Sequence, residues 1–308
     1  MRLSITTMAA TSDLPPLTVP ERFKAPPKPH GLGAGVAQAP SVAAGAAATA
    51  IRGTTSIGTI GWQPSLSTDD EGKEGGYELE MGPVSVKDTD ETLRSLPRPK
   101  KPIILYEYEA SPYCRKVREA CAMLDLVISV RPCPRFGDFY REELESVGGQ
   151  QQFPYMVDEN TGTSMYESDS ITDYLFNTYG PGADAAPAAL KGNLGYATSG
   201  LASAARGLRG GLKRPNSLPE NPQRREMELW GYEGSPFVKP VREALTELQL
   251  PHKIVYCARG SLHREEMVKN LGNFQVPYLK DPNTGVEMFE SRDIVEYLES
   301  VYTKPSLL

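Results

Sequence analysis

The chain has 308 residues, 28 of them Gly and 27 Pro, with a formal net charge of -6. So much Gly and Pro excludes one continuously packed globule of ordinary composition. Acids outnumber bases by 39 to 33 with no long basic run, which argues against a nucleic-acid partner.

Eleven of the prolines lie in residues 1–100, which hold only three aromatics, Phe23, Trp62 and Tyr77. A segment so poor in bulky apolar groups does not offset the entropy of ordering its backbone, so 1–100 reads as mostly extended or disordered. Its start, with Arg2, hydroxyls at Ser4, Thr6, Thr7, Thr11 and Ser12, and only two acids before Asp69, has the pattern of a transit peptide or of a generic polar tail. The most apolar stretch, 31–51, is Ala and Gly with Pro40 inside it. Such small side chains do not span a bilayer, and the protein reads as soluble with no transmembrane segment. Four cysteines, Cys114, Cys121, Cys133 and Cys257, with three histidines, are too few and too dispersed for a disulfide scaffold or a zinc site. No metal is expected, and a reducing compartment is the default.

An internal repeat organises the rest. Leu105–Leu126 aligns without a gap on Leu229–Leu250, and Gln152–Tyr179 on Gln275–Tyr302, half of the positions being identical in each block. The offset is 124 in the first block and 123 in the second. The boundaries follow: 101–180 and 227–303 are the two copies, 181–226 a Gly/Ala-rich spacer, and 304–308 a tail.

Both copies read in the same order. A short strand (Ile103 onward; Glu228 onward) ends at Ser-Pro, and Pro112 or Pro236 suits the first turn of a helix. Val117, Cys121 and Leu124, matched by Val241, Leu245 and Leu248, give that helix one apolar face. A second strand follows (127–131; 253–257), then a polar helical segment and a third strand after Phe153-Pro154 or Val276-Pro277. A hairpin at Asn160-Thr161-Gly162 or Asn283-Thr284-Gly285 leads to a fourth strand, and Ser168 or Ser291 caps a final helix. The fold class is therefore α/β, two tandem domains each with a four-stranded mixed sheet and flanking helices.

Ser111-Pro-Tyr-Cys114, Lys116-Val-Arg118, Gln151-Gln-Phe-Pro-Tyr-Met-Val157 and Met165-Tyr-Glu-Ser168, with Ser235-Pro-Phe-Val238, Val241-Arg242, Phe274-Gln-Val-Pro-Tyr278 and Met288-Phe-Glu-Ser291, carry a resemblance. Both copies resemble the thioredoxin-like N-terminal domain of glutathione S-transferases and the related glutaredoxins, and 101–303 as a whole is similar to a group of tandem domains found in plant and algal plastids. The resemblance implies a plastid location, the cytoplasm being the alternative. It also implies glutathione or a similar small thiol as ligand, with a protein partner as a further expectation. Phe153, Pro154, Glu167 and Ser168, and Val276, Pro277, Glu290 and Ser291, would hold the tripeptide: the cis proline presents the preceding backbone, and Glu-Ser meets the γ-glutamyl group at a helix start.

Glutaredoxin-like relatives place Cys-x-x-Cys at the start of the first helix. Here Ser111 and Ser235 stand at the first position, Cys114 at the second in one copy and Val238 in the other, so a disulfide cannot form and open within the motif. Each Ser either caps its helix or hydrogen-bonds the sulfur of bound glutathione. Two functions stay open: a weakly catalytic or non-catalytic thiol-binding module, and a glutathione-dependent transferase or reductase acting through Ser111, Ser235 or Cys114. The transferase's C-terminal helical domain is not expected. Instead the Ala/Gly-rich segments 46–53 and 194–212 are expected to cover faces of the copies, which could pack as an internal pseudo-dimer. Cys133 and Cys257, coincident at offset 124, read as small buried groups at strand ends or as redox thiols.

Overall fold

A computed structural model describes residues 17–24, 39–67, 78–81, 84–219, 221 and 223–304. The transit-like start, residues 1–16, lies outside them.

Helix α1 (Ala39–Arg52) is followed by a small antiparallel sheet of β1 (Gln63–Ser67), β2 (Glu78–Met81) and β3 (Val84–Thr89), with β3 central, and by the short α2 (Glu91–Ser95). The first copy then runs β4 (Ile103–Glu107), α3 (Pro112–Met123), β5 (Val127–Pro132), α4 (Phe139–Gly148), β6 (Tyr155–Asp158), β7 (Thr163–Met165) and α5 (Ser168–Tyr179). Helix α6 (Gly192–Ala205) occupies the spacer. The second copy repeats the order as β8 (Met227–Gly231), α7 (Val238–Glu247), β9 (His252–Tyr256), α8 (Leu262–Leu271), β10 (Tyr278–Asp281), β11 (Val286–Phe289) and α9 (Ser291–Tyr302).

Four strands from each copy form a single eight-stranded sheet in the order β11-β10-β8-β9-β5-β4-β6-β7. The seam is the antiparallel pair β5–β9, corresponding strands of the two copies, with Val127 opposite Val255 and Val130 opposite His252. Pairing these strands satisfies backbone groups that would otherwise lie along two open edges. One face carries α3 and α5 over Ile103, Leu105, Ile128 and Val130, and α7 and α9 over Leu229 and Leu279. The other carries α4 over Tyr106 and Tyr155, and α8 over Trp230 and Val255. Strand alternation divides the two sets of side chains.

In each copy the third strand ends on a buried carboxylate that accepts two phenols: Asp158 takes Tyr174 and Tyr179 at 2.7 and 2.6 Å, and Asp281 takes Tyr297 and Tyr302. The hairpin Asn is used beyond the turn. Asn160 Oδ1 accepts the N–H groups of Lys100 and Lys101, and Asn283 Oδ1 that of Arg225, so each hairpin holds the entry to its own first strand. The positive φ falls on Gly162 (74°) and Gly285 (76°).

Where the copies meet, charge is buried. Arg118 and Arg242, at the same position of α3 and α7, face Glu109 and Glu233, at the same position of the two strand-helix loops. Arg118 lies 3.2 Å from Glu109 and 3.4 Å from Glu233, and Arg242 pairs with both carboxylates. Although burial opposes its charge, Glu233 is held down to about 2 by Arg242, Arg118 and further cations. Burial drives Lys239 the other way, to about 7, with Arg115 adding to the effect.

Residues 1–100 read as mostly extended, yet α1 is a packed helix within them. Transfer free energy misses it because the helix contributes contact distance instead of bulk: a Cβ on Gly45 would lie 2.8 Å from Cβ of Pro236, and one on Gly195 of α6 would lie 2.8 Å from the Ala189 carbonyl. The two helices pack on each other and bridge the copies in a reciprocal way. Arg52 at the end of α1 grips Glu119 of the first copy through Nε (3.0 Å) and Nη2 (2.6 Å), while the chain beyond it pairs with the second copy, Thr59 N–H to Arg259 C=O at 2.8 Å. Arg206 after α6 grips Glu243 of the second copy through two bonds of 2.7 Å, and the chain beyond pairs with the first copy, Lys213 N–H to Arg135 C=O at 2.9 Å. Helix α6 stops at Ala205, short of the 194–212 span, since Gly207 and Gly210 take positive φ.

Two measurements check this account. Removing one partner of a buried pair strands the other charge, so Arg206→Met should cost about 3–5 kcal/mol by urea unfolding, while Arg94→Met, at an exposed pair with Glu265, should cost under about 1 kcal/mol. His252 is buried in β9, and burial lowers its pKa from 6.5 to about 4. Between those values the unfolded chain binds the proton that the folded chain refuses, so stability should fall as pH drops through that window. The difference between wild type and His252→Gln should reproduce that slope; a flat difference curve would contradict it.

Candidate functional site

The start of α3 places Ser111 as its N-cap, its Oγ accepting the Cys114 N–H at 3.2 Å, with Pro112 in the first turn. In the second copy Ser235 Oγ accepts the Val238 N–H at 3.3 Å. Both serines are buried. The burial comes from the Ala/Gly-rich segments expected to cover the copies: the tails of α6 and α1 lie across these loops. Gly211 packs on Ala110, while Gly234 donates to the Ser56 carbonyl and its own carbonyl accepts from Thr49 Oγ1 at 2.7 Å.

Cys114 is wholly buried behind Ser111. Burial, reinforced by Glu107, pushes its thiol up to about 12, which removes it from thiolate chemistry at neutral pH. Cys133 and Cys257 are likewise buried at their strand ends, each Sγ donating to a carbonyl two residues earlier, at 3.3 and 3.4 Å. Burial raises Cys121 and Cys257 as well. Among the described residues no group of His, Cys, Asp and Glu could hold a metal ion, and no helix is long and apolar enough to cross a membrane.

The predicted ligand-holding residues come together in both copies. Phe153–Pro154 and Val276–Pro277 are cis peptides. Strand pairing begins only after them, at Tyr155 with Tyr106 and at Tyr278 with Trp230, so the backbone of Phe153 and Val276 stays out of the sheet ladder. Glu167 and Glu290 share an unusual backbone, φ 70° with ψ 109° and 114°, immediately before α5 and α9. A non-glycine residue held there twice is strain of the kind that accompanies a binding site. Gln152 and Gln275 hold these carboxylates through Nε2 at 2.5 Å. Ser168 and Ser291, expected as caps, are instead the first helical residues, the N-cap positions falling on Glu167 and Glu290 with no side-chain cap bond. The buried Ser291 Oγ has no hydrogen-bond partner among the described residues. The unpaired helix N–H groups make each a place for a carboxylate.

Further residues complete the first copy's site. Tyr108 stands edge-on to Phe153, its ring 5.8 Å away, and the Arg141 guanidinium lies over Phe153 at 4.7 Å. Tyr113 stacks on Tyr196 of α6 at 4.9 Å, both rings about half exposed. In the second copy Arg264 lies over Phe274 and Tyr232 while donating to the carbonyls of Cys257 and Ala258. The recurrence of Tyr108 as Tyr232, at offset 124, was the available signal. Arg141 and Arg264 correspond only at offset 123, inside the unaligned stretch, and Tyr196 has no signal in the repeat.

Residues 105–183 and 229–306 each match the glutathione S-transferase N-terminal domain, together just over half of the chain. The chain belongs to that family and carries its domain twice in tandem. The glutathione S-transferase-like protein tpcF of Aspergillus fumigatus is 38% identical over 69 residues, covering 22% of this chain and 31% of that protein. Glutathione S-transferase GstB of Escherichia coli is 35% identical over 81 residues, covering 26% and 39%. Among solved structures, glutathione transferase BmGSTD1 of Bombyx mori is 30% identical with a TM-score of 0.25, covering 28% of this chain and 39% of that one. The Leishmania glutathione transferase TDR1 is 17% identical over 68% of each chain, at a TM-score of 0.24. The chain thus spans under two fifths of the length of the curated relatives it matches.

The burial of all four thiols predicts that iodoacetamide leaves the native protein unlabelled at pH 7.5 and labels four cysteines after unfolding, as read by intact mass. Rapid labelling of Cys114 in the native state would contradict the site as described.

Proposed function

We propose that this protein is a tandem thioredoxin-fold module that binds glutathione or a closely similar thiol with little or no turnover, as an internal pseudo-dimer with one site in each copy. The observation that carries the reading is the doubled Glu-Ser element: Glu167-Ser168 and Glu290-Ser291 keep the same strained backbone, and Ser291 Oγ at a helix start has no partner among the described residues. A free γ-glutamyl carboxylate matches that need. The groups that would turn a binder into a catalyst are spent elsewhere. Ser111 caps α3, and Ser235 accepts the Val238 N–H in the turn before α7, whose helix starts only at Val238, beyond Pro236. Both serines lie beneath covering segments, and Cys114 is a buried neutral thiol. A plastid location and a protein partner complete the proposal, on the resemblance of 101–303 to plastid tandem domains.

The alternative, a transferase or reductase using Ser111, Ser235 or Cys114, draws on one specific feature. Burial raises the Tyr108 phenol while Ser111 beside it works to lower it, which brings a phenol and a hydroxyl together at the first copy's helix start, where the Ser111 N–H also donates to the Tyr108 carbonyl.

Titration calorimetry of the full chain with reduced glutathione, paired with turnover of 1-chloro-2,4-dinitrobenzene and of a glutathione mixed disulfide, separates the readings. The expected result is saturable binding, weakened about tenfold by Ser291→Ala combined with Ser168→Ala, and turnover at background. Turnover abolished by Ser111→Ala would favour the enzyme, and no binding at all would remove both readings.

A further inference from the structure

The two-fold correspondence of the copies also breaks beside the seam between them. On the sheet face that carries α4 and α8, the segment entering each first strand passes over the other copy's second strand. Before β8 this segment supplies Glu226, whose carboxylate bonds Ser129 and Arg131 of β5. The corresponding residue before β4 is Pro102, which has no acid to offer, and its surroundings differ too: Lys253 stands in place of Ser129 and Val255 in place of Arg131. The surface that an internal carboxylate fills on one side is left on the other as a cleft of about 530 Å³. That size suits a small organic ligand.

The lining is cationic and partly apolar. Five Lys or Arg side chains border the cleft against two carboxylates, with Trp230 and Val255 as apolar floor. Not all the cations are available: Arg98 donates to the Leu124 and Asp125 carbonyls, and Lys101 pairs with Glu159. Lys280 is held loosely, 3.5 Å from Glu228 at a partly exposed position. Among the described residues Lys100 and Lys253 have no ion-pair partner. Glu226, close enough to feel Lys253, is itself held by Arg131 and Ser129.

We propose that this cleft binds a small phosphate ester bearing a ring, the phosphate meeting Lys253, Lys280 and Lys100 and the ring lying against Trp230 and Val255. Lysine ammonium groups serve as point charges for phosphate, and an apolar floor beside them favours a ligand with one charged and one flat end. The ligand does in the second copy what Glu226 does in the first. The site lies on the opposite sheet face from the charged cluster between the copies, and the proposal does not rest on glutathione binding.

The test is calorimetric titration of the full chain with 1-naphthyl phosphate at low salt, where exposed charges are least screened. Saturable binding is expected, about tenfold weaker in Lys253→Glu, which converts an attraction into a repulsion, and also weaker in Lys280→Met. Lys269→Met, on the exposed side of α8, should bind as wild type, and circular dichroism checks that the variants are folded. Pro102→Glu supplies the missing acid and should abolish binding without lowering the melting temperature. No saturable binding, unchanged affinity in folded Lys253→Glu and Pro102→Glu, or displacement of the probe by excess glutathione would each overturn the assignment.

Discussion

Four buried side chains govern how this chain is assembled: Arg118 and Glu109 from one copy, Arg242 and Glu233 from the other. Neither copy could keep its own pair in an exposed edge without changing the energetics, because each Arg meets both carboxylates, its own and its neighbour's. Buried ions are costly unless fully compensated, and here compensation requires that the copies meet in one register. The β5–β9 seam follows from that register, as do the positions of α1 and α6. These helices bring two more bidentate pairs, Arg52–Glu119 and Arg206–Glu243, to the outer sides of the same cluster.

The crossing of α1 and α6 between copies bears directly on function. Each helix is tied to one copy by its arginine and runs on to pair with the other, so the loops before α3 and α7 are covered by chain. The covered loops are those that would present a nucleophile. The Glu-Ser elements lie at the start of different helices, α5 and α9, and keep their strained backbone with no side-chain cap bond among the described residues. The same architecture therefore covers the helix-start serines and leaves the Glu-Ser elements outside that cover. Strain at Glu167 and Glu290 persists only because the surrounding fold fixes it, through Gln152 and Gln275 in the same geometry.

Much of this was legible in the sequence. The repeat gave the element order, because that is set by local chemistry such as a Pro at a helix start and Asn-Thr-Gly in a hairpin, while the cis prolines and the role of the paired Glu-Ser residues were implied by the resemblance. The joining of the sheets was not legible, since pairing of β5 with β9 depends on which edge meets which, and alternating Val and Ile in both strands fits many partners. The stretch 46–53 was legible as a covering segment, but a packed helix starting at Ala39 was not, because Gly45 and its alanines act by permitting close approach, a property that hydrophobicity does not record. Arg118, Arg242, Glu109 and Glu233 were visible as identical positions, yet a sequence does not distinguish a solvated ion pair from one buried at a junction. Tyr196 reached the first site from the spacer, with no counterpart in the repeat to mark it.

The central claim is that the doubled Glu-Ser elements are ligand sites on a scaffold whose nucleophile positions are closed. A crystal structure of the chain grown with saturating reduced glutathione tests it most directly. The account predicts the γ-glutamyl carboxylate at Ser168 and Ser291 and the cysteinyl backbone paired with Phe153 and Val276, with Ser111 and Ser235 still bonded to the Cys114 and Val238 N–H groups. Empty helix starts at saturating ligand, or glutathione seated with its sulfur on an uncovered Ser111, would contradict it.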